Sequence, residues 1–481
     1  MMNILFVTPE LYPVIKTGGL GDVSAALSDA FARLGHRVRV LMPGYPKAMA
    51  LKNKRLIAHL PPLLGEDNIK LYHAKVPGNE APLWLIDCPN RYRREGGPYQ
   101  DADGQDWPDN DLRFGLLGHV AKLIASDDNP TKFTPDIVHC HDWQAALAPA
   151  LIALSAKKKA VTVTTIHNLG YLGLFPPDRL SVLGLPPESF QMYGLEFFDK
   201  ISFLKAGLYY ADALTTVSPT YAKEIQTEEL GCGLHGLLQA RSDRLFGILN
   251  GIDVNIWNPK TDAHIVKNYD INTLDDKKVN KKALLEAFGL PENDYPLLGF
   301  VGRLTWQKGI DMLLDALPEL AQQKLHVVIL GTGDKNLEQQ AMQAMQTYPN
   351  LLSVKVGFDE SLAHLIEAGS DMFLMPSRYE PCGLNQMYSM CYGTPPIVRK
   401  TGGLADTVDD ATAENLADGR ATGFVFEVPE KDALAATIQR ALTLYEDQAT
   451  FRKIQENGMQ KDFSWQKSAE SYLNIFTKLL S

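Results

Sequence analysis

A short motif occurs twice in this chain, once near its start and once near its end. Residues 16–22 read Lys-Thr-Gly-Gly-Leu-Gly-Asp, and residues 400–406 read Lys-Thr-Gly-Gly-Leu-Ala-Asp. Each copy follows a short apolar run and precedes a helix-like pattern. A glycine pair in that position lets the backbone approach a ligand closely, and the following helix N-terminus attracts an anion such as phosphate. Either copy alone is compatible with plain turns, but the repeated Lys and Asp favour phosphate binding.

Strand-like and helix-like runs alternate over most of the chain, which is typical of parallel sheets covered on both faces. Residues 53–87 differ and indicate hairpins, whereas residues 197–210 indicate a helix. The alternation breaks at 250–275, where Asn-Gly and Asn-Pro pairs occur. We therefore predict an α/β protein of two doubly wound, Rossmann-like domains that face each other across a cleft. The expected domains are residues 1–250, residues 251–461 and a helical tail at residues 462–481.

Composition narrows the class of protein. A chain of 481 residues is too long for a single ordinary core, and its formal net charge of −10 argues against a general nucleic-acid binder. No apolar run approaches the roughly 18 residues that a membrane span needs, and the N-terminal apolar run is too short for a signal peptide. The five cysteines are scattered, without zinc-site spacing, and fit a reducing cytoplasm. We expect a cytoplasmic protein without nucleic-acid or membrane partners, and the oligomeric state stays open.

Polar residues follow the predicted strands of the first domain, at the sheet edge where ligands of doubly wound folds bind. Asp142 follows one strand, and it is either a helix cap or a polar group of the cleft. We expect His139 and His141 to point to opposite sides of the chain, and therefore predict no shared metal site. His167 and Asn168 follow the next strand, where such a pair suits recognition of hydroxyl groups.

A pair of cations marks the start of the second domain. Arg303 and Lys308 flank a strand-to-helix turn, where they form either an anion clamp or a solvated basic turn. Glu380 follows a later strand, where its carboxylate is an acceptor for sugar hydroxyls or only a charge at a helix start. Residues 331–334 lack the third glycine of a dinucleotide fingerprint, so we interpret them as a tight turn.

Together these residues resemble the bacterial glycogen synthase and plant starch synthase family. The likeness extends from Met2 to about Trp465, and the motifs that carry it are residues 16–20, residues 139–143, His167 with Asn168, residues 250–253, Arg303 with Lys308, residues 380–384 and residues 400–404. The resemblance implies a two-domain glycosyltransferase of the GT-B type, whose last helix crosses back onto the N-terminal domain. It also implies transfer of glucose from ADP-glucose to the non-reducing end of an α-1,4-glucan such as glycogen, with retention of configuration. UDP-glucose remains the rival donor, because the residue chemistry does not separate adenine from uracil.

The resemblance also implies roles for individual residues. Arg303 and Lys308 stabilise the departing diphosphate, while Glu380 and His167 bind glucose hydroxyls and Asp142 lies on the acceptor side. Lys16 reaches the phosphates or the sugar, backbone N–H groups of Gly18 and Gly19 assist, and Asn168 or Asn250 orients the sugar. The remaining expected substrate contacts are Asp22, Tyr99, Cys382, Gly383, Leu384, Thr401, Gly402 and Gly403. No cofactor or metal is expected, because the cations take the place of a metal.

Other classes need features that this chain does not display. A glycoside hydrolase needs two carboxylates flanking the scissile bond. A glycogen phosphorylase carries pyridoxal phosphate on a lysine, which an absorbance spectrum would show. A sugar-binding protein of two α/β domains has no need of a phosphate clamp.

Overall fold

The computed structural model describes residues 1–155 and 160–481. The chain divides into two compact units. Unit 1 comprises Met1–Gly251 together with Trp465–Ser481, and unit 2 comprises Ile252–Ser464. Both bounds fall slightly later in the chain than the expected 250 and 461.

The main sheet of unit 1 is parallel apart from a hairpin at one edge. The strands of this unit are β1 (Asn3–Val7), β2 (Arg37–Pro43), β3 (Arg55–Leu60), β4 (Ile69–Ala74), β5 (Leu83–Asp87), β6 (Ile137–His141), β7 (Val161–Ile166), β8 (Leu174–Phe175), β9 (Glu196–Phe197), β10 (Lys200–Ser202), β11 (Ala213–Thr216) and β12 (Leu245–Gly247). The main sheet has the order β12-β11-β7-β6-β1-β2-β5-β4-β3, and the hairpin of β3 and β4 runs antiparallel. A small sheet has the order β8-β10-β9. The direction of strand addition reverses between β1 and β6, and crevices for ligands form at such points in doubly wound sheets.

Helices cover both faces of this sheet, which explains why the side chains of Ile4 through Val7 in β1 are fully buried. The helices are α1 (Gly19–Arg33), α2 (Pro46–Met49), α3 (Pro89–Tyr92), α4 (Asn110–Ile124), α5 (Asp142–Ala145), α6 (Leu147–Ala153), α7 (Phe203–Tyr210), α8 (Pro219–Glu224) and α9 (His235–Ala240). The segment expected to be one helix from 197 to 210 starts instead with the hairpin of β9 and β10 and becomes helical at Phe203.

Unit 2 is a second doubly wound sheet, and all of its strand pairs are parallel. Its strands are β13 (Leu297–Val301), β14 (His326–Gly331), β15 (Leu352–Val356), β16 (Met372–Met375), β17 (Pro396–Arg399) and β18 (Phe424–Phe426), in the order β15-β14-β13-β16-β17-β18. This is the 3-2-1-4-5-6 order of Rossmann folds, with the reversal between β13 and β16. The helices are α10 (Lys277–Phe288), α11 (Ile310–Leu320), α12 (Lys335–Thr347), α13 (Glu360–Gly369), α14 (Asn385–Cys391), α15 (Gly402–Thr407), α16 (Ala413–Ala417), α17 (Lys431–Glu446) and α18 (Gln448–Met459).

The last helix, α19 (Trp465–Leu480), belongs to unit 1. Ala469, Tyr472 and Phe476 share one helical face and are buried. Tyr472 and Phe476 pack against Phe31 of α1, with ring centroids 6.1 and 5.7 Å away. The apolar stripe of α19 therefore completes the core of unit 1. In the part of the chain that the structure describes, no helix is long and apolar enough to cross a membrane.

Candidate active site

The loop after β1 carries the first glycine pair, and the buried carboxylate of Glu10 accepts hydrogen bonds from its backbone. Oε2 of Glu10 accepts backbone N–H groups from Thr17 at 2.6 Å and from Gly18 at 3.3 Å. Its Oε1 accepts the hydroxyl of Tyr99. Burial raises the pKa of Glu10, although these hydrogen bonds act in the opposite direction. The N–H of Gly18, expected to meet phosphate, is therefore already used within the protein, and Tyr99 supports the loop through Glu10.

The same loop exposes Lys16 beside the start of α1. The ammonium of Lys16 lies 2.6 Å from a carboxylate oxygen of Asp22, which sits in the first turn of the helix. Gly18 is the N-cap residue of α1. A Cβ added to Gly18 or Gly19 would meet no atom within 4 Å. The space beside these two glycines is thus unoccupied by atoms of the residues that the structure describes, as a ligand site requires.

Asp142 follows β6 and is strained. It has a φ of 53°, in the left-handed region that non-glycine residues rarely adopt, and such strain tends to occur at functional sites. Its Oδ1 accepts the backbone N–H of His167 at 2.8 Å, so this side chain joins the ends of β6 and β7. Burial raises the pKa of Asp142 to about 7.

Three imidazoles cluster where β6 and β7 end. The rings of His139 and His141 lie 4.1 Å apart, so the expectation of opposite sides was wrong, because alternate residues of a strand point to one face. Nδ1 of His141 lies 2.9 Å from Nε2 of His167. Burial lowers the pKa of His139 and of His167 to about 3. Among residues 1–155 and 160–481, no group of three His, Cys, Asp or Glu is placed to bind a metal ion.

Two asparagines of unit 1, Asn168 and Asn250, differ in which side-chain amide atom lacks a hydrogen-bond partner within the described part of the protein. Oδ1 of Asn168 accepts the N–H of Gly170 at 3.0 Å, so its amide nitrogen is the group left for a ligand. Asn250 is buried, and its Oδ1 has no hydrogen-bond partner in the structure. Buried polar atoms are nearly always paired, so this oxygen is a candidate acceptor for a bound molecule.

In unit 2, one of the two expected cations, Lys308, meets the expected carboxylate at the point between β13 and β16. The ammonium of Lys308, after β13, forms an ion pair with Oε2 of Glu380, after β16. Ser377 donates its hydroxyl to the same oxygen at 3.0 Å. Arg303 lies on the same loop after β13 and is exposed. Its guanidinium lies 3.5 Å from Oε1 of Gln307. Glu380 lies in a loop rather than at a helix start, because α14 begins only at Asn385.

The second glycine pair serves a different purpose from the first. A Cβ added to Gly402 would lie 1.9 Å from the carbonyl oxygen of Glu380, and one on Gly403 would lie 2.0 Å from that of Cys382. Gly402 and Gly383 also have positive φ angles, of 42° and 74°. These glycines allow residues 380–384 and 400–404 to pack backbone to backbone, with Thr401 buried between β17 and α15. The pair therefore shapes the Glu380 loop, in addition to any role in binding.

Three residues absent from the sequence-based predictions also belong to these regions: Glu10, His141 as the partner of His167, and Phe358. The side chain of Phe358 is 84% exposed, directly beyond the carboxyl end of β15. An exposed aromatic residue two positions after a strand of a doubly wound sheet is a signal that the sequence did contain. Glu10 offers no such signal, because its partner Tyr99 is distant in the chain.

The comparisons with known proteins agree with this architecture. Family models described as starch synthase catalytic domain and glycosyl transferases group 1 match residues 3–240 and 282–458. Glycogen synthase of Nitrosospira multiformis is 50% identical, covering 100% of this chain and 98% of its own length. Glycogen synthase of Nitrosomonas eutropha is 51% identical, covering 100% and 96%.

Solved structures extend the comparison. The catalytic domain of starch synthase IV from Arabidopsis thaliana, bound to ADP and acarbose, is 31% identical with a TM-score of 0.88, covering 100% of this chain and 99% of its own. Sucrose-phosphate synthase from Thermosynechococcus elongatus, at 18% identity and a TM-score of 0.59 over 100% of this chain and 99% of its own, shares the fold alone.

The two Rossmann-like units, together with the matched family models and relatives, identify a hexosyltransferase with the fold of GT-B glycosyltransferases. The relatives specify it further: the chain belongs to the glycogen synthase and starch synthase family. The family and the α/β fold class predicted from the motifs are thereby confirmed.

Proposed function

We propose that this enzyme transfers glucose from ADP-glucose to the non-reducing end of an α-1,4-glucan, with retention of configuration. The observation that carries the proposal is the ion pair of Lys308 and Glu380 at the strand reversal of unit 2. Arg303, on the same loop after β13, is exposed and available to a ligand. Relatives named glycogen synthase and an ADP-bound starch synthase support the choice of donor and acceptor.

Unit 2 would bind the nucleotide diphosphate. The bond to the anomeric carbon breaks as negative charge grows on the diphosphate, and fixed cations stabilise such charge most effectively. Lys308 has three N–H donors, so it can contact phosphate while keeping its bond to Glu380. Oε1 of Glu380 would then accept a glucose hydroxyl, and backbone groups of residues 382–384 and 401–403 would complete the donor site.

Phe358 would stack on the nucleotide base. Its strand, β15, lies two strands from β13, which corresponds to about 10 Å across the sheet. That separation matches the reach of a nucleotide from its diphosphate to its base. A face of an exposed aromatic ring stacks on any base, so Phe358 supports nucleotide binding without choosing between adenine and uracil.

Unit 1 would contact the glucosyl group and the acceptor. Asp142 and His167 are held together at the ends of β6 and β7, and Asn250 has an unpaired carboxamide oxygen. Lys16 would reach the phosphates or the sugar from the open loop after β1. We propose transfer on one face of the sugar, with the leaving diphosphate and the acceptor hydroxyl on the same side.

Product analysis tests this reaction. The enzyme is incubated with ADP-glucose and a maltooligosaccharide tagged at its reducing end, and the products are separated and digested with an exo-acting α-1,4-specific amylase. We expect a ladder of products, each longer by one glucose, that the amylase shortens to the same short tagged remnant. Resistant linkages, or free glucose instead of a ladder, would contradict the proposal. Transfer from UDP-glucose is the alternative, because the diphosphate contacts are the same for both donors.

A further inference from the structure

His167 is held by two consecutive residues at the end of β6. Asp142 accepts its backbone N–H, and the ring of His141 contacts its Nε2 at 2.9 Å. The left-handed φ of 53° at Asp142 turns the chain so that both side chains reach the same residue.

The contact between the two imidazoles fixes their protons jointly. Burial lowers the pKa of His167 to about 3 and that of His141 well below its usual value, so both rings are neutral at pH 7. A neutral imidazole has one N–H donor and one acceptor nitrogen. A hydrogen bond between Nδ1 of His141 and Nε2 of His167 therefore allows two arrangements, which differ in the nitrogen that donates.

The surroundings of His141 favour one of the two. Its other nitrogen, Nε2, is buried without a hydrogen-bond partner, and the ring stacks on Phe6 at 4.0 Å. A proton on that nitrogen would be an orphaned buried N–H, which proteins avoid more strictly than an unused acceptor. The proton of His141 therefore belongs on Nδ1, from which it is donated to His167.

We propose that His141 is a positioning residue that keeps His167 in the tautomer protonated at Nδ1. With Nε2 accepting from His141, the single N–H of His167 is on Nδ1. In the part of the chain that the structure describes, Nδ1 of His167 makes no hydrogen bond. It is thus a donor ready for an oxygen of the glucosyl group, an assignment of substrate that rests on the proposed function.

Nuclear magnetic resonance tests the tautomer without any substrate. Long-range proton–nitrogen correlation spectra of protein labelled with ¹⁵N-histidine distinguish imidazoles protonated at Nδ1 from those protonated at Nε2. A His167→Gln protein identifies the signals of His167 by their loss. We expect His167 protonated at Nδ1 in the ligand-free enzyme. Protonation at Nε2 would overturn the proposal, even if the enzyme made glucan as proposed.

Two substitutions separate the hydrogen bond from packing. His141→Phe preserves an aromatic ring against Phe6 but has no N–H, whereas His141→Asn places an amide nitrogen near the position of Nδ1. We expect kcat to fall about tenfold in His141→Phe, the scale of one hydrogen bond, and to stay within about threefold in His141→Asn. His167 should lose its Nδ1 preference only in His141→Phe.

The reverse order of activities would show that His141 acts through packing, and would refute the positioning role. Wild-type enzyme with no transfer activity would instead refute the proposed function and leave the tautomer measurement valid. The spectrum of the wild-type protein decides the tautomer even if both variants fail to fold.

Discussion

Replacing Glu10 by alanine is expected to lower kcat/KM for glucosyl transfer by up to about thirtyfold. The substitution removes the acceptor for the N–H groups of Thr17 and Gly18 and for the hydroxyl of Tyr99. Hydrogen bonds to charged groups contribute about 1.5–3 kcal/mol each. The freed N–H groups lie in an exposed loop and regain water, and the raised pKa of Glu10 shows that burying its charge is costly. The net loss is therefore about 2 kcal/mol in the free energy that favours the ordered loop, which lowers the population of the ordered loop roughly thirtyfold.

The assay combines initial rates of transfer with hydrogen exchange of the peptide that contains the loop. Glu10→Gln keeps an acceptor oxygen for Thr17 and should lose less activity than Glu10→Ala. Tyr99→Phe removes one partner only and should lose the least. Faster exchange at residues 11–19 should accompany the loss of activity. Normal kcat/KM and unchanged exchange in folded Glu10→Ala would refute the claim that this carboxylate holds the loop.

Further predictions concern the donor site and the buried imidazoles. Arg303→Ala and Lys308→Ala should each lower kcat about 10²–10³-fold, since each removes a cation aimed at the diphosphate; near-normal turnover in both would indicate a surface turn. Phe358→Ala should raise the KM for the donor about fivefold or more, because stacking on a base contributes about 1–3 kcal/mol; an unchanged KM would place the base elsewhere. Burial lowers the pKa of His139 and of His167 to about 3. Below about pH 6.5 the unfolded state therefore binds protons at these histidines that the folded state does not bind. The free energy of unfolding must fall as the pH falls through this range. The Tm of His167→Asn should therefore fall less between pH 6 and pH 4 than the Tm of the wild type. An identical fall in both proteins would contradict the conclusion that His167 is buried in its neutral form.

Much of the fold follows from local patterns in the chain. The alternation of buried strands and helices predicted two doubly wound units, and the hairpin of β3 and β4 lies within the range where hairpins were expected. The strand pair of β9 and β10 was missed, because the apolar residues before Phe203 fit either a helix or a hairpin. Its formation depends on pairing with β8, a contact between segments distant in sequence.

The position of a candidate residue was predictable where a polar side chain directly follows a strand, as for His167 after β7; its role in binding stays a prediction. Positions were not predictable where function depends on contacts between loops. The two glycine pairs have the same sequence, yet an added Cβ meets open space at Gly18 and a carbonyl oxygen at Gly402. The face on which His139 and His141 lie was predicted wrongly from the period of a strand.

We propose that this enzyme uses ADP-glucose, in preference to UDP-glucose, to extend an α-1,4-glucan. The most direct measurement is the initial rate of incorporation of radiolabelled glucose into a glycogen primer, with ADP-glucose and UDP-glucose assayed side by side over a range of concentrations. We predict a much higher kcat/KM with ADP-glucose. Equal values for the two donors, or no incorporation from either, would contradict the claim.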